Sequence, residues 1–179
     1  ITVNAHTFAD PVTFLQNASG AGSITIAGHL QNSGGGVTLT SGSGNIDIGD
    51  SLTTTSGDID INGAVTLSGA STLTTNTSGA IDFSSTVDGG NDLTLASSGS
   101  TTFNGAVGAT TDVGDGTGAA IIINSTGTTS FESTVDAASG LTQAGGAGSV
   151  TFKGDVTLAD GDTATNLAGA VTLDGLNWS

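Results

Sequence analysis

Carboxylates recur at one position of a repeated seven-residue phrase, and they are the first residues to consider as metal ligands. Asp47, Asp60 and Asp82 occupy the second position of IDIGDSL (46–52), IDINGAV (59–65) and IDFSSTV (81–87). Alternation along a strand points this position outward, so we expect the three carboxylates to stack on the surface. Stacked carboxylates repel by about 1 kcal/mol per pair in water, and such a column invites Ca²⁺, which prefers oxygen ligands. A solvated acidic stripe without a metal is the interpretation we favour, with calcium as the alternative.

Two acid-rich turns offer a second set of calcium candidates. Asp112 and Asp115 lie in TDVGDGTG, and Asp160 and Asp162 lie in ADGDT. Neither turn matches the EF-hand spacing or the GGxGxD repeat of calcium β-rolls. Ordinary Asp-Gly turn chemistry accounts for both stretches and is the interpretation we favour.

The residues needed for general acid-base catalysis are few, and they are widely separated. A polysaccharide lyase needs a basic group, and the sequence holds one lysine, Lys153, and no arginine. A glycoside hydrolase needs two converging carboxylates, whereas the acids here fall in scattered turns. His6 and His29 are more than one repeat apart and are best interpreted as corner or surface residues. The chain has no cysteine for a thiolate site or a disulfide. We expect no active site.

Threonine clusters raise a hypothesis of ice binding, because flat outward arrays of threonine on a β-helix can order water. The relevant clusters are Thr53–Thr55, Thr74–Thr75 and Thr101–Thr102. A regular TxT in every repeat would be required, and the outward position mixes Thr, Asp and Ser. Threonine is also a good strand former, which explains the clusters without a ligand.

The elements that must position these side chains follow from the repeated phrase itself. It can be written h-x-[IF]-x-x-x-[VL], where h is usually an apolar residue and x is any residue. Its central Ile or Phe falls at Phe8, Ile26, Ile48, Ile61, Phe83, Phe103, Phe131 and Phe152. Val or Leu always follows four residues later, and a turn-forming Asp, Gly or Ser lies between them. Each phrase therefore predicts a strand, a corner and a second strand, with the Ile/Phe residues forming one interior ladder.

Most phrases recur at about 20 residues, which is typical of one coil of a solenoid. The sequence predicts an all-β fold, a right-handed parallel β-helix of about eight coils in a single domain spanning residues 1–179. The interval from Ile48 to Ile61 is only 13 residues, so one of these two phrases could lie on another face. The long interval from Phe103 to Phe131 contains TDVGDGTG, which we expect to bulge as a loop.

Charge excludes some classes of partner. One Lys, no Arg and 16 acids give a net charge of −15, which repels the phosphates of nucleic acids and the surface of anionic membranes. No apolar run reaches the 18 or so residues of a membrane span. The chain begins at Ile1 rather than Met, and we expect it to be an excised or processed part of a longer surface protein.

The phrases TTFNGAV, SGDIDINGAVTLSG, GGNDLTLASSGS and KGDVTLADGDT resemble repeats of very large bacterial surface proteins. These are the filamentous-haemagglutinin-like and autotransporter adhesins, and the resemblance runs from about Ser23 to Leu176. It implies a right-handed parallel β-helical shaft, export to the cell surface, and a role in adhesion or as a rigid spacer. The chain lacks the Asn-Pro-Asn-Gly motif of two-partner secretion domains, since its one proline is Pro11. The resemblance therefore implies a shaft without its export module.

These observations predict a non-catalytic structural or adhesive segment that is secreted or located at the cell surface. Expected partners are neighbouring copies stacked end to end, or a host, cell-surface or glycan partner. The alternatives are a self-assembling filament subunit and a calcium-, sugar- or ice-binding module. No cofactor other than calcium is expected.

Overall fold

A computed structural model describes residues 1–16, 21–144, 148–159 and 165–174. All of its regular elements are short β-strands, and no helix occurs in those ranges. The strands are β1 (Thr2–Val3), β2 (His6–Phe8), β3 (Val12–Gln16), β4 (Ile24–Ile26), β5 (Leu30–Asn32), β6 (Val37–Ser41), β7 (Ile46–Ile48), β8 (Leu52–Thr54), β9 (Ile59–Asn62), β10 (Val65–Leu67), β11 (Ser71–Thr75), β12 (Ile81–Phe83), β13 (Val87–Asp88), β14 (Leu93–Ser97), β15 (Thr101–Phe103), β16 (Ala119–Ile123), β17 (Thr129–Phe131), β18 (Val135–Ala137), β19 (Gly140–Gln143), β20 (Val150–Phe152), β21 (Val156–Leu158), β22 (Asn166–Leu167) and β23 (Val171–Leu173).

The strands form three parallel sheets, which we call A, B and C in the order the chain visits them. Sheet A contains β1, β4, β7, β10 and β13, and isolated bridges through Val107 connect it to the pair β18 and β21. Sheet B runs β2-β5-β8-β11-β14-β16-β19-β22, and sheet C runs β3-β6-β9-β12-β15-β17-β20-β23. The prediction of a parallel β-solenoid is confirmed. It has about 7 turns with a spacing of about 22 residues, compared with the expected eight coils of about 20.

The core is a set of inward columns between the three sheets. Its most regular part is an aromatic column in sheet C, the rings of Phe83, Phe103, Phe131 and Phe152. Successive ring centroids are 4.5, 4.7 and 5.0 Å apart, and the planes differ by 7°, 8° and 5°. All four rings are fully buried. The predicted interior ladder is confirmed for these four residues and for Ile61, which aligns with Phe83.

The first three members of the predicted ladder lie elsewhere. Phe8 belongs to sheet B, and Ile26 and Ile48 belong to sheet A. The 13-residue interval is thereby explained, because the chain passes from sheet A through sheet B to sheet C between Ile48 and Ile61. A strand-corner-strand phrase occurs at more than one corner of the coil, so the prediction of a single column is wrong for these three positions.

A glycine column turns the corner between sheets B and C. It consists of Gly57, Gly79, Gly99, Gly127 and Gly148. Buried hydroxyl groups at the ends of sheet B strands donate hydrogen bonds to the carbonyl groups of these glycines. Thr54 Oγ1 donates to Gly57 O at 2.7 Å, and Thr75 Oγ1 donates to Gly79 O at 2.6 Å. Both threonines are buried, and hydrogen bonding makes that burial tolerable.

The predicted loop between Phe103 and Phe131 lies between sheets A and B. Its segments 109–112 and 115–117 are exposed, as expected. Val113 between them is fully buried and forms a parallel bridge with Ala137. The stretch is therefore a loop attached to the core at its centre.

Candidate functional site

The outward column of sheet C is the strongest candidate surface, because short oxygen-bearing side chains occupy all eight of its levels. In register order they are Thr13, Thr38, Asp60, Asp82, Thr102, Ser130, Thr151 and Thr172. Adjacent strands in such a sheet are about 4.8 Å apart. Asp60 and Asp82 are direct neighbours in this column, as predicted.

Asp47 does not join them, and this part of the predicted acidic column is wrong. It lies in β7 of sheet A, where its register partners are Thr25 and Thr66. The cause is the same change of sheet that separates Ile48 from Ile61. One oxygen of Asp47, Oδ1, is buried without a hydrogen-bond partner in the described part of the chain.

Neighbouring polar groups hold the carboxylates of sheet C in place. Asp82 Oδ1 accepts a hydrogen bond from Asn104 Nδ2 at 2.9 Å, and Thr38 Oγ1 donates to Asp60 Oδ2 at 3.5 Å. Asp58, at the corner just before β9, accepts a hydrogen bond from the Ala80 N–H at 2.7 Å. Sequence reasoning missed Asp58 and Asn104, since both occupy corners, where no strand alternation indicates direction.

Burial and like charge make Asp60 easier to protonate than an ordinary carboxyl group. Partial burial is the largest cause that raises the pKa of Asp60, the carboxylates of Asp58 and Asp82 raise it further, and the hydrogen bond from Thr38 opposes them. The folded protein therefore binds this proton more tightly than the unfolded chain does. At neutral pH the ionised group lowers stability, and this penalty disappears as the pH falls below the ordinary range of an aspartate.

We expect Asp60→Asn to stabilise the protein at pH 7 by roughly a few tenths of a kcal/mol, since solvent screens this partly exposed group. Near pH 3, where the wild-type carboxyl is largely protonated, the gain should vanish. Thermal melts at both pH values measure it. Asp112→Asn is the matched control for net charge, because Asp112 is exposed in the loop. A gain of equal size at Asp112, or one that persists at low pH, would contradict a local cause.

The two predicted acid-rich turns have different outcomes. Asp115 caps its own turn, with Oδ1 accepting from the Thr117 N–H at 2.8 Å and from Thr117 Oγ1 at 2.7 Å. These two hydrogen bonds lower the pKa of Asp115. This is the ordinary Asp-Gly turn favoured above. Asp160 and Asp162 lie outside the described residues.

Two carboxylates that the sequence did not single out contact this loop. Asp88 Oδ1 accepts hydrogen bonds from the Thr110 N–H at 2.7 Å and the Thr111 N–H at 3.3 Å. Asp92 Oδ1 accepts a hydrogen bond from the Asp115 N–H at 3.2 Å. Burial, as the largest cause, raises the pKa of Asp92. Within the described ranges, no group of three or more His, Cys, Asp or Glu side chains is arranged to hold a metal ion.

The structure places the candidate catalytic residues in separate environments. Lys153 Nζ pairs with Glu132 Oε2 at 2.7 Å, and this hydrogen bond is the main cause that lowers the pKa of Glu132. His29 Nε2 lies 3.0 Å from Thr53 Oγ1. His6 lies at the first coil with its ring centroid 4.4 Å from that of Phe8, in an open cavity of about 310 Å³. No described contact joins Lys153, His6 and His29 to one another.

The threonine clusters are only half outward. Thr54, Thr75 and Thr101 point inward and are buried, so their place in the predicted ice-binding array is wrong. Their neighbours Thr53, Thr74 and Thr102 are partly exposed on the outer faces. Alternation in the strand explains the difference, and Thr55, the third member of the first cluster, is exposed just after β8 ends.

Comparisons with protein-family models, with curated proteins and with solved structures found no match for this chain. None of the segments that the structure describes forms a helix able to span a membrane. Any functional statement therefore depends on the geometry of the chain itself.

Proposed function

We propose that this chain is a structural, non-catalytic β-solenoid segment of a bacterial surface or extracellular fibre protein. In this role it acts as a rigid spacer or as part of an adhesive shaft. The observation that carries the proposal is the unbroken parallel register of sheet C. Its eight strands repeat one outward column between two inward columns from β3 to β23.

A rod gains length and stiffness from such a register. Each coil contacts only its neighbours, so adding a coil adds length without changing the cross-section. The four stacked rings at 4.5–5.0 Å make the interior continuous along the axis. Eight levels at about 4.8 Å correspond to about 38 Å per copy.

Surface composition supports an extracellular setting and contact with another molecule. A single Lys and no Arg leave almost no sites for trypsin-like proteases. The outward column of sheet C offers hydroxyl and carboxylate groups to a host, cell-surface or glycan partner. The chain's net charge of −15 argues for a neutral or cationic partner.

The spacer role predicts a linear increase of length with copy number. Chains containing one, two or three tandem copies, with dyes at both ends, should lengthen by about 38 Å per added copy. Energy transfer or small-angle scattering measures this distance. The same series carrying Phe103→Ala in every copy is the matched control, and its dye-to-dye distance should increase through unfolding at a lower temperature, because an unfolded copy spans more than about 38 Å. Growth with the square root of copy number, as for a flexible chain, would refute the proposal.

Self-assembly into a filament is the second candidate, and one observation favours it. The two edge strands of sheet C continue the same columns: Val12-Thr13-Phe14 in β3 is in register with β6, and Val171-Thr172-Leu173 in β23 is in register with β20. Val171 and Leu173 are 38% and 50% exposed. Among the described residues neither edge has a further partner strand, and parallel edges of this kind can pair with another copy. In the single-copy sample, length that increases with protein concentration would favour this candidate over an isolated spacer.

A further inference from the structure

Two corners of the solenoid contain the dipeptide Asn-Gly, at Asn62-Gly63 and at Asn104-Gly105. Asn62 is the last residue of the sheet C strand β9 and pairs with Thr40, Asn104 directly follows the sheet C strand β15, and both corners lead into sheet A. Their local sequences are nearly identical, INGAV and FNGAV. Both asparagine side chains are exposed. The chain therefore contains a natural pair of sites that differ mainly in their hydrogen bonds.

The two side-chain amides are held very differently. Asn104 Nδ2 donates to Asp82 Oδ1 at 2.9 Å and to Phe83 O at 3.1 Å. The amide of Asn62 makes one described hydrogen bond, from Nδ2 to Thr40 Oγ1 at 3.5 Å. That distance is at the outer limit of a hydrogen bond. Asn62 consequently has a freer side chain than Asn104.

Glycine after asparagine allows a specific reaction. Gly has no side chain to obstruct the approach of its backbone nitrogen to the asparagine Cγ. The nitrogen of Gly63 loses its proton and attacks Cγ of Asn62, forming a nitrogen–carbon bond. The bond from Cγ to Nδ2 then breaks, and Nδ2 takes up a proton and leaves as ammonia. Water then opens the resulting succinimide ring at one of its two carbonyl groups. The net change is amide plus water to carboxylic acid plus ammonia, without an oxidant or reductant.

We propose that Asn62 is a site of spontaneous deamidation in the folded protein, giving aspartate and isoaspartate, whereas Asn104 is protected. The Asn104 amide must lose two hydrogen bonds, one to a charged acceptor, before its Cγ can be attacked. In the described part of the chain, the N–H of neither Gly63 nor Gly105 donates a hydrogen bond. Side-chain tethering, rather than hydrogen bonding of the glycine N–H, is therefore the difference on which the proposal rests.

The products alter the corner in two ways. Aspartate adds a negative charge to a face that already carries Asp60. Isoaspartate routes the backbone through the side-chain carbonyl and lengthens the corner by one methylene. The 62–64 corner would then no longer superpose on its neighbour at 84–86, which carries no Asn-Gly dipeptide. The modification would accumulate with the age of the folded protein.

Mass spectrometry after digestion with a protease that cleaves before aspartate tests this proposal. Cleavage before Asp60 and Asp82 isolates Asn62 in peptide 60–81, and cleavage before Asp92 and Asp112 isolates Asn104 in peptide 92–111. Conversion of Asn62 to aspartate creates a new cleavage site before residue 62, whereas isoaspartate leaves the peptide intact with the mass of an acid. During incubation of the folded protein at mildly alkaline pH, we expect Asn62 to convert about tenfold faster than Asn104, the factor for about 1.4 kcal/mol of lost hydrogen bonding.

Two variants and one condition complete the test. Asp82→Ala removes the charged partner of Asn104 and should accelerate its conversion towards the rate of Asn62. Thr40→Val removes only the long hydrogen bond and should leave the rate at Asn62 unchanged. In denaturant the two sites should convert at similar rates. Equal rates in the folded protein, faster conversion at Asn104, or an Asn62 that converts only in denaturant would each overturn the proposal.

Discussion

Replacing Phe103 by Ala is expected to lower the free energy of unfolding by about 3–5 kcal/mol, the range for removal of a large buried aromatic side chain. The ring is fully buried and stacks between Phe83 at 4.5 Å and Phe131 at 4.7 Å. Alanine removes both stacking contacts and leaves a gap that backbone hydrogen bonds on each side prevent from collapsing. Denaturant unfolding followed by circular dichroism measures the loss.

The same variant should also reduce cooperativity. A solenoid is stabilised by its repeats and by the interfaces between neighbours, and Phe103 lies near the middle of the chain. Weakening the contact between the coils on either side of Phe103 should broaden the unfolding transition or split it in two. Phe103→Leu, which keeps most of the volume, should cost less than half as much, and Thr102→Ala on the outer face should cost little. A loss at Phe103 no larger than that at Thr102 would show that the aromatic column does not support the core.

Much of the core could be predicted from sequence, and the physical reason is the alternation of side chains along strands. An apolar residue at every second position of a short strand must face inward if the strand is to bury anything. This rule placed Phe83, Phe103, Phe131 and Phe152 correctly. It could not assign a phrase to a particular corner, because a strand-corner-strand phrase has the same local pattern at each corner. The displacement of Ile26 and Ile48 into sheet A follows from that ambiguity.

The candidate site was predictable only where it lies on strands. The prediction that Asp60 and Asp82 are neighbours is confirmed. Their partners Asp58 and Asn104 come from corners, where direction is set by turn geometry that the sequence pattern does not encode. Once the register is known, a simple signal remains: an amide in one corner lies one coil above a carboxylate in the adjacent strand.

Buried hydroxyl groups were the other omission, and they show how threonine can mislead. Thr54 and Thr75 read as surface residues because threonine is polar, yet they occupy the inward position at the end of a strand. The neighbouring glycine corner exposes carbonyl groups to the interior, and a short hydroxyl side chain satisfies them. Threonine or serine before a glycine-containing corner therefore predicts an inward hydroxyl in this architecture.

The glycine column at the corner between sheets B and C gives the second large expected effect on stability. We expect Gly127→Ala to destabilise the protein by about 3 kcal/mol, at the upper end of the cost of overpacking. A Cβ at Gly127 would lie 1.9 Å from Gly99 O and 2.4 Å from Gly99 C. These are backbone atoms of the adjacent coil, so the two coils must separate locally to admit a methyl group. Calorimetric melting of the variant measures the loss.

A glycine outside the column provides the control that isolates packing between coils from the general effect of removing a glycine. At Gly90, an added Cβ would meet only Gly114 O, at 3.8 Å, which is ordinary van der Waals contact. Gly90→Ala reduces the freedom of the unfolded chain in the same way and should be neutral or slightly stabilising. If both substitutions had equal effects, close approach of successive coils would not be the reason for glycine at this corner. If only Gly127→Ala is destabilising, the separation between coils, rather than the conformation of one turn, sets which residue this corner accepts.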